Sequence, residues 1–411
     1  MNSDSLLLEK NKPLLILDGW RGVAVLWVVM FHAISPFLHT PGKQIFAVYP
    51  LYWISSFGGT GVVLFFVISG YCITGAMINS LLKENSAEYY IKSRIRRIYP
   101  PYLMALILYS FTNYSIILAK KYNYISIVNH EYCFNQSWFF WISNFLLIQH
   151  EFKQSEIVPV AWSLCYEMAF YVVLGLILLL LSALKRHSFS MKKCIEFLSI
   201  IIFLLTLCSI IWLCFSPGTC PFPFQLWYQF GAGSLLYMTS LNNHQRSTTI
   251  SGIVLNSKIQ LFITILLIIY FALVHKDCFH RMIVYHRSID GHAADPIQPL
   301  VTILFILSLY AMKPFDAKIA QNILFQQFIK LGIVSYSLYL IHTLIQPFID
   351  FGLRKVGFDN NWYFTNYLLQ IVIPVAFSIP FYILIEKRFL SSRRLQITNE
   401  EKIILLKHYE V

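Results

Sequence analysis

Charge is scarce in this chain. Of its 411 residues only 13% are Asp, Glu, Lys or Arg, against 57% hydrophobic and 17% aromatic. So little polar surface excludes a soluble domain of this length, and long apolar runs recur throughout. No polar block is long enough to fold separately, and there is neither an internal repeat nor a low-complexity segment. The eight cysteines form no CxxC pair, and Cys72, Cys165, Cys208 and Cys214 lie in apolar runs, where cysteine behaves as a small hydrophobe. Cys133, Cys220 and Cys278 fall in segments read as outer, where a disulfide is open but unsupported. Neither His130-Glu131 nor His150-Glu151 extends to HExxH, which argues against a zinc hydrolase. No cleavable signal is evident, because the first apolar run is itself a full-length span. These absences leave an all-α polytopic membrane protein. Its formal charge of +12 sits in short loops between apolar runs, a topology signal rather than a nucleic-acid footprint.

Hydropathy places ten spans near residues 14–38, 58–82, 99–119, 160–184, 196–216, 221–241, 257–275, 297–313, 328–350 and 363–386. The apolar piece Ser137–Ile148 is too short to cross and reads as re-entrant or interfacial. An even number of spans puts both termini on one side, and Lys and Arg are in clear excess in the segments of that side. The positive-inside rule then makes both termini cytoplasmic. Residues 1–390 are thus predicted to form one bundle of about ten transmembrane helices, with 391–411 a short basic cytoplasmic tail.

Polar residues inside the spans carry the functional signal. The first span, Leu14–Leu38, holds Asp18, Arg21 and His32. Each ionisable group there costs roughly 2.5–3.5 kcal/mol on insertion scales, so such groups usually face a cavity. Arg21 and His32 are eleven residues apart, which puts them on one helix face about 16 Å apart. That face suits an extended ligand, its anion held at one end and its reacting group at the other. The alternative is an Asp18–Arg21 pair near the helix end plus one core histidine. In the second span, Gly61, Ser69 and Gly70 form a small-residue packing seam, with lining of a cavity as the lesser alternative. The stretch YYIKSRIRRIYPPYL follows at the cytoplasmic mouth of the third span, with Pro100-Pro101 where a helix start tolerates proline. Its Arg94 and Arg97, spaced i,i+3, either hold this loop inside or clamp a phosphate with guanidinium forks.

The fourth span opens with VPVAWSLCYEMAFY, and Glu167 lies at about the same depth as His32, roughly 10 Å below the outer surface. A carboxylate and an imidazole at equal depth invite pairing, Glu167 fixing the tautomer of His32 and raising its basicity; two unrelated polar residues in a wet vestibule are the alternative. The loop His275–Asp295 is rich in histidine, but its spacing matches no structural zinc pattern, so no metal site is assigned. The ninth span carries Ser335, Tyr336, Tyr339 and His342, and Glu386-Lys387-Arg388 closes the tenth as a cytoplasmic anchor.

Taken together and in order, LDGWRGVAVLWVVMFHA, GVVLFFVISGY, RIRRIYPPYL, WSLCYEMAFY and SYSLYLIH resemble the acyltransferase 3 family of integral-membrane O-acyltransferases over nearly the whole chain. The resemblance implies that Arg21 and His32 are the paired Arg/His of the first helix, Arg94 and Arg97 the RxxR, and Glu167 the WSLxxE glutamate. Many relatives have a second acid where Met168 stands here. Some also carry an extracytoplasmic hydrolase-like domain; lacking one, this chain is expected to complete transfer itself or hand over to a separate protein.

The residues and the resemblance converge on one expectation. The protein transfers an acyl group, most simply acetyl, from cytoplasmic acyl-CoA to a hydroxyl of an extracytoplasmic glycan or lipid-linked glycan, in the plasma membrane and without a permanently bound cofactor. His32 and Glu167 are the catalytic pair and Arg21, Arg94 and Arg97 bind the donor. Asp18, Trp162, Ser163, Tyr339 and His342 support them. A transporter of an anionic solute or lipid-linked sugar is the rival reading, because intramembrane Arg, His and Glu suit a substrate path equally well. A sensor without turnover leaves the Arg21–His32 spacing unexplained.

Overall fold

In hydrocarbon every backbone N–H and C=O must be paired within its own segment, so apolar runs of this length fold as helices. The computed structural model describes Leu14 and residues 16–38, 50–83, 86–122, 137–186, 190–216, 219–242, 257–274, 297–356 and 363–390. The 391–411 tail, His130-Glu131, Cys133 and the His275–Asp295 loop with Cys278 lie outside the described residues. Within them the chain is all helical. It runs α1 (Ile16–Leu38), α2 (Pro50–Ser56), α3 (Gly61–Ser80), α4 (Ser86–Lys121), α5 (Trp138–Leu146), α6 (Trp162–Arg186), α7 (Met191–Phe215) and α8 (Phe224–Asn242). It continues through α9 (Ser257–Val274), α10 (Ile297–Met312), α11 (Asp316–Ala320), α12 (Ile323–Ile333), α13 (Ser335–Lys355), α14 (Tyr363–Phe381) and α15 (Lys387–Phe389).

A helix stands at each of the ten expected positions, and among the described residues seven are long and apolar enough to cross a membrane. A bent pair, Ile323–Ile333 with Ser335–Leu353, makes an eighth if taken as one span. The protein is therefore a multi-pass helical membrane protein. The segment expected to cross as 328–350 is two helices meeting at 72° around Val334. Helix α8 is the most deeply packed. Gln225, Gln229, Ser234, Thr239 and Ser240 dilute its apolar character, and neighbouring helices satisfy several of them: Gln229 donates to Gln298 Oε1 at 3.0 Å, and Ser234 to the Gly70 carbonyl at 3.2 Å. Polar residues on a protein-facing helix need no lipid compatibility. The piece expected to be too short to cross is α5, nine residues long.

Glycine sets how closely the backbones approach. A Cβ on Gly70 would lie 2.0 Å from the Phe230 carbonyl oxygen, and one on Gly233 2.0 Å from that of Val67, so α3 and α8 touch main chain to main chain. The α1–α12 crossing repeats the device, with Gly22 against Phe328 O at 2.0 Å and Gly332 against Asp18 O at 1.8 Å. Gly61 and Gly70 therefore pack as expected of a small-residue seam, but Ser69 faces a different neighbour, described below.

Two expectations need correction. Pro100 and Pro101 do not start a helix, because α4 runs unbroken from Ser86 to Lys121 with both prolines inside it. Proline frees the carbonyl four residues earlier, and beside this weak point the Tyr336 hydroxyl donates to the Ile98 carbonyl at 2.9 Å. The continuous helix also fixes Arg94 and Arg97 on one face. Glu386 is not a surface anchor. A π-helical turn, Tyr382–Glu386, swings its carboxylate inward, where it is buried and accepts from Ser337 Oγ at 2.6 Å; only Lys387 and Arg388 remain outside.

Any side chain at Gly332 or Gly70 forces its helices apart. We expect Gly332→Ala and Gly70→Ala each to lose about 1–3 kcal/mol of stability, the usual range for overpacking. The readout is the thermal midpoint of the purified protein by size-exclusion chromatography. Gly352→Ala, with nothing within 4 Å of its added carbon, is the matched control and should leave the midpoint in place.

Candidate active site

The chemistry-bearing side chains of α1, α3, α6 and α13 converge into one interior track, with α4 closing one end. At that end Asp18 and Arg21, spaced i,i+3, share a face of α1. Arg21 Nη1 donates to Asp18 Oδ1 at 2.6 Å and Nη2 to Cys72 Sγ at 3.3 Å. Glu167 of α6 is close enough for its charge to act on Arg21. Its Oε1 accepts hydrogen bonds from Ser69 Oγ at 2.9 Å and from the Tyr171 hydroxyl one helical turn along. The Arg94 guanidinium carbon lies 5.9 Å from the ring centres of both Tyr171 and Tyr90. Arg97 also acts on Tyr171, and Arg94 Nε is buried without a hydrogen-bond partner. Arg96 is exposed. Arg94 and Arg97 thus turn one face of α4 to Tyr171 and Glu167, as the i,i+3 spacing predicts.

Midway along the track Ser163 Oγ and the Tyr339 hydroxyl are 2.7 Å apart, with the Phe65 ring 5.7 Å from that of Tyr339. At the far end His32 and His342 pack with ring centroids 5.1 Å apart. Tyr336, Tyr339 and His342 recur every three residues and so follow one face of α13. Gln346, one turn further, donates to the Val29 carbonyl of α1 and to the Gln370 carbonyl of α14, both at 3.1 Å, which holds α13 against α1 beside the histidines. Trp162 is half-buried near this end, 6.5 Å from Phe66 and 6.3 Å from both His150 and Tyr166, centre to centre. His150 Nδ1 lies 3.4 Å from Glu156.

The expected pairing of His32 with Glu167 is not what the structure shows. Glu167 is held by Ser69 and Tyr171, and His32 makes no hydrogen bond to it. From His342 to Tyr339 is three residues on α13, and from Ser163, which Tyr339 touches, to Glu167 is four on α6. At 1.5 Å per residue Glu167 lies about 10 Å nearer the arginine end than His32 does. Equal depth was inferred from hydropathy edges, which treat residue 160 as the membrane surface. Instead, residues 147–161 fold over the start of α6, burying Leu147, Val158 and Ala161. Among the described residues no group of three or more His, Cys, Asp or Glu stands close enough to hold a metal ion.

Sequence reasoning missed Tyr171, Cys72 and Glu386 and gave Ser69 chiefly to packing. Tyr171 had a readable signal, since residues i and i+4 on a helix are neighbours. Removing either donor leaves the partly buried Glu167 carboxylate short of a bond, and bonds to charged groups contribute about 1.5–3 kcal/mol. We expect Tyr171→Phe and Ser69→Ala each to lower thermal stability by that order. The double variant should lose less than the sum if the two hydroxyls act as one network, a coupling that a double-mutant cycle reads directly.

Over 184 residues the chain is 32% identical to a Staphylococcus aureus strain COL protein whose name marks O-acetyltransferase activity as provisional; the stretch is 42% of this chain and 26% of that protein. It is 27% identical over 196 residues to O-acetyltransferase OatA of Staphylococcus aureus strain NCTC 8325, 45% of this chain and 27% of OatA. The match spans about a quarter of the length of these relatives. No solved structure matches. Residues 14–386 match the acyltransferase domain of the acyltransferase 3 family, a stretch that runs from the start of α1 to Glu386 in the π-helical turn and contains every residue of the track. The chain belongs to the acyltransferase 3 family.

Proposed function

We propose that this protein is an integral-membrane O-acyltransferase that moves an acyl group, most simply acetyl, from acyl-CoA to a hydroxyl of a surface carbohydrate. The observation that carries the reading is the track itself: arginines at one end, two imidazoles at the other, and neutral hydroxyls between. An acyl-CoA has the same polarity, an anionic head joined by a thin uncharged arm to a thioester. Arg94 and Arg97 take the head, because guanidinium forks match phosphate oxygens in bidentate geometry. Arg21, held by Asp18, extends the positive field into the bundle, and Glu167 keeps that cluster of cations in place. In this reading Glu167 anchors the donor site and does not orient His32.

The positive-inside bias puts the arginine end at the cytoplasm, where acyl-CoA is made, and both termini with it. His32 then stands near the extracytoplasmic face of the plasma membrane. A sugar hydroxyl is a poor nucleophile at neutral pH and needs a base within hydrogen-bond reach. His32 takes the hydroxyl proton as the oxygen adds to the thioester carbonyl. The C–S bond breaks, and the thiolate leaves with the proton that His32 returns. The acceptor is a glycan or a lipid-linked glycan, reached directly or through a separate extracytoplasmic protein. No permanently bound cofactor or metal enters this chemistry.

Two substitutions separate the ends. Arg94→Ala should weaken acetyl-CoA binding by about 1.5–3 kcal/mol, roughly 10- to 150-fold in Kd, without disturbing membrane insertion. His32→Ala should bind donor normally and abolish transfer, read by mass spectrometry as loss of acetyl-sized mass from surface glycans. Near-normal transfer by monodisperse His32→Ala protein would remove His32 as the base. Unmodified but mislocalised glycan in cells lacking the gene would instead favour transport.

A further inference from the structure

His342 is fully buried, at 0% exposure, whereas His32 remains partly exposed. The two rings pack 5.1 Å apart, centroid to centroid, at an interplanar angle of 53°. His342 Nδ1 faces two backbone carbonyls of its own helix, Tyr339 O at 2.8 Å and Leu338 O at 3.1 Å. A carbonyl oxygen only accepts, so Nδ1 must carry the proton. The neutral ring then has its lone pair on Nε2. That nitrogen lies on the side of the ring away from α13, and it is buried without a hydrogen-bond partner. A buried acceptor left open is costly, so in a native protein it calls for an explanation. Among the described residues two rings able to donate pack against it, and the Tyr339 hydroxyl is already engaged with Ser163 and the Val160 carbonyl, whereas the nitrogens of His32 are hydrogen-bonded to nothing. A centroid separation near 5 Å is within reach of an N–H···N bond between imidazoles once one ring turns slightly.

We infer that His342 is the positioning residue for His32: its Nε2 accepts the ring N–H of His32 when substrate is bound, fixing which nitrogen of His32 bears the reacting lone pair. The inference rests on the assignment of His32 as the base and goes beyond it. Full burial keeps His342 from the substrate, so it acts through His32. The role is the one a carboxylate takes in many base–orienter pairs, filled here by a neutral imidazole whose tautomer the α13 backbone dictates. Bookkeeping of the proton is simple. His32 gains one proton from the hydroxyl and returns it to the leaving thiolate, while His342 holds its Nδ1 proton throughout and shares the N–H of His32 on Nε2.

Two near-isosteric replacements divide this role from a structural one. An asparagine amide overlays Nδ1 and can still donate to the Leu338 and Tyr339 carbonyls, but it offers nothing at the Nε2 position. A glutamine amide overlays Nε2 and keeps an acceptor there while giving up the backbone contact. Release of free CoA thiol from acetyl-CoA by the full-length protein, in membranes bearing the cell's own glycan, gives kcat and KM; binding of acetyl-CoA gives Kd. We expect His342→Asn and His342→Ala to lose about 10–100-fold in kcat, the usual cost of removing an orienting partner. Donor KM and Kd should hold, and His342→Gln should recover most of the rate. The reverse order, Asn active and Gln dead, overturns the inference in favour of a helix-packing role. Activity in His32→Ala under the same assay overturns the base assignment instead, so the two failures are distinct. Should the glutamine protein not fold, 15N NMR of the wild-type histidines decides: a protonated Nδ1 on His342 is expected, and a proton on Nε2 overturns the inference.

Discussion

The arrangement depends on satisfying charge inside a bundle where no bulk water can do it. Arg21, Asp18, Glu167, Arg94 and Arg97 occupy one end of a helical core, and each would be costly alone in a membrane. Asp18 binds Arg21 directly, Ser69 and Tyr171 bind Glu167, and Tyr171 stands between Glu167 and Arg94. These contacts come from four helices, so the network fixes the relative positions of α1, α3, α4 and α6. Loss of one partner leaves another partly buried charge uncompensated, which is more damaging than loss of the pair. That asymmetry makes the network a constraint on register as much as a source of affinity for an anion.

Such a network requires the helices to stand unusually close, and glycine supplies the approach. Gly22 and Gly332 bring α1 onto α12, while Gly70 and Gly233 bring α3 onto α8. Lipid chains are as apolar as leucine, so no hydrophobic gradient presses these helices together; van der Waals contact and hydrogen bonds do that work. The Gly332 contact falls on the Asp18 carbonyl itself, so packing and ion pair share the same turn of α1. The sharp bend at Val334 follows two residues later.

Much of this was legible in the sequence where helical periodicity alone decides position. Arg21 and His32 fall on one face because eleven residues return the helix almost to the same angle, and Arg94 and Arg97 do so because they are i,i+3. The order of helices was legible for the same reason, since long apolar runs have one way to satisfy their backbone. What failed was anything that depended on tertiary depth. Glu167 looked level with His32 only because hydropathy takes each apolar run to begin at the surface, and the fold of residues 147–161 breaks that premise. The bend at Val334 and the π-helical turn at Tyr382–Glu386 were not read because both lie within apolar runs long enough to pass for unbroken spans, although Gly332 stands two residues before the first and Pro380 two residues before the second. Glu386 read as an anchor because a carboxylate beside Lys387 and Arg388 is ordinarily at the interface; a π turn rotates it by one register into the core.

The bend explains how one short sequence serves both ends of the track. Before it, α12 lies against α1 at Asp18 through Gly332. After it, α13 departs at 72° and presents Tyr336, Tyr339 and His342 at three-residue intervals. A straight helix pinned to α1 at Gly332 would carry these side chains along a single line set by that crossing. The break frees α13 to follow the track and to be held again at its far end, where Gln346 reaches the Val29 carbonyl and Tyr109 of α4 meets Thr343 at 2.5 Å. The distance between Arg21 and His32 is therefore set by α1, a single unbroken helix, while the line of Tyr336, Tyr339 and His342 is set by α13. Separating those two tasks lets Arg21 and His32 keep a fixed spacing whatever the side chains of α13 between them do.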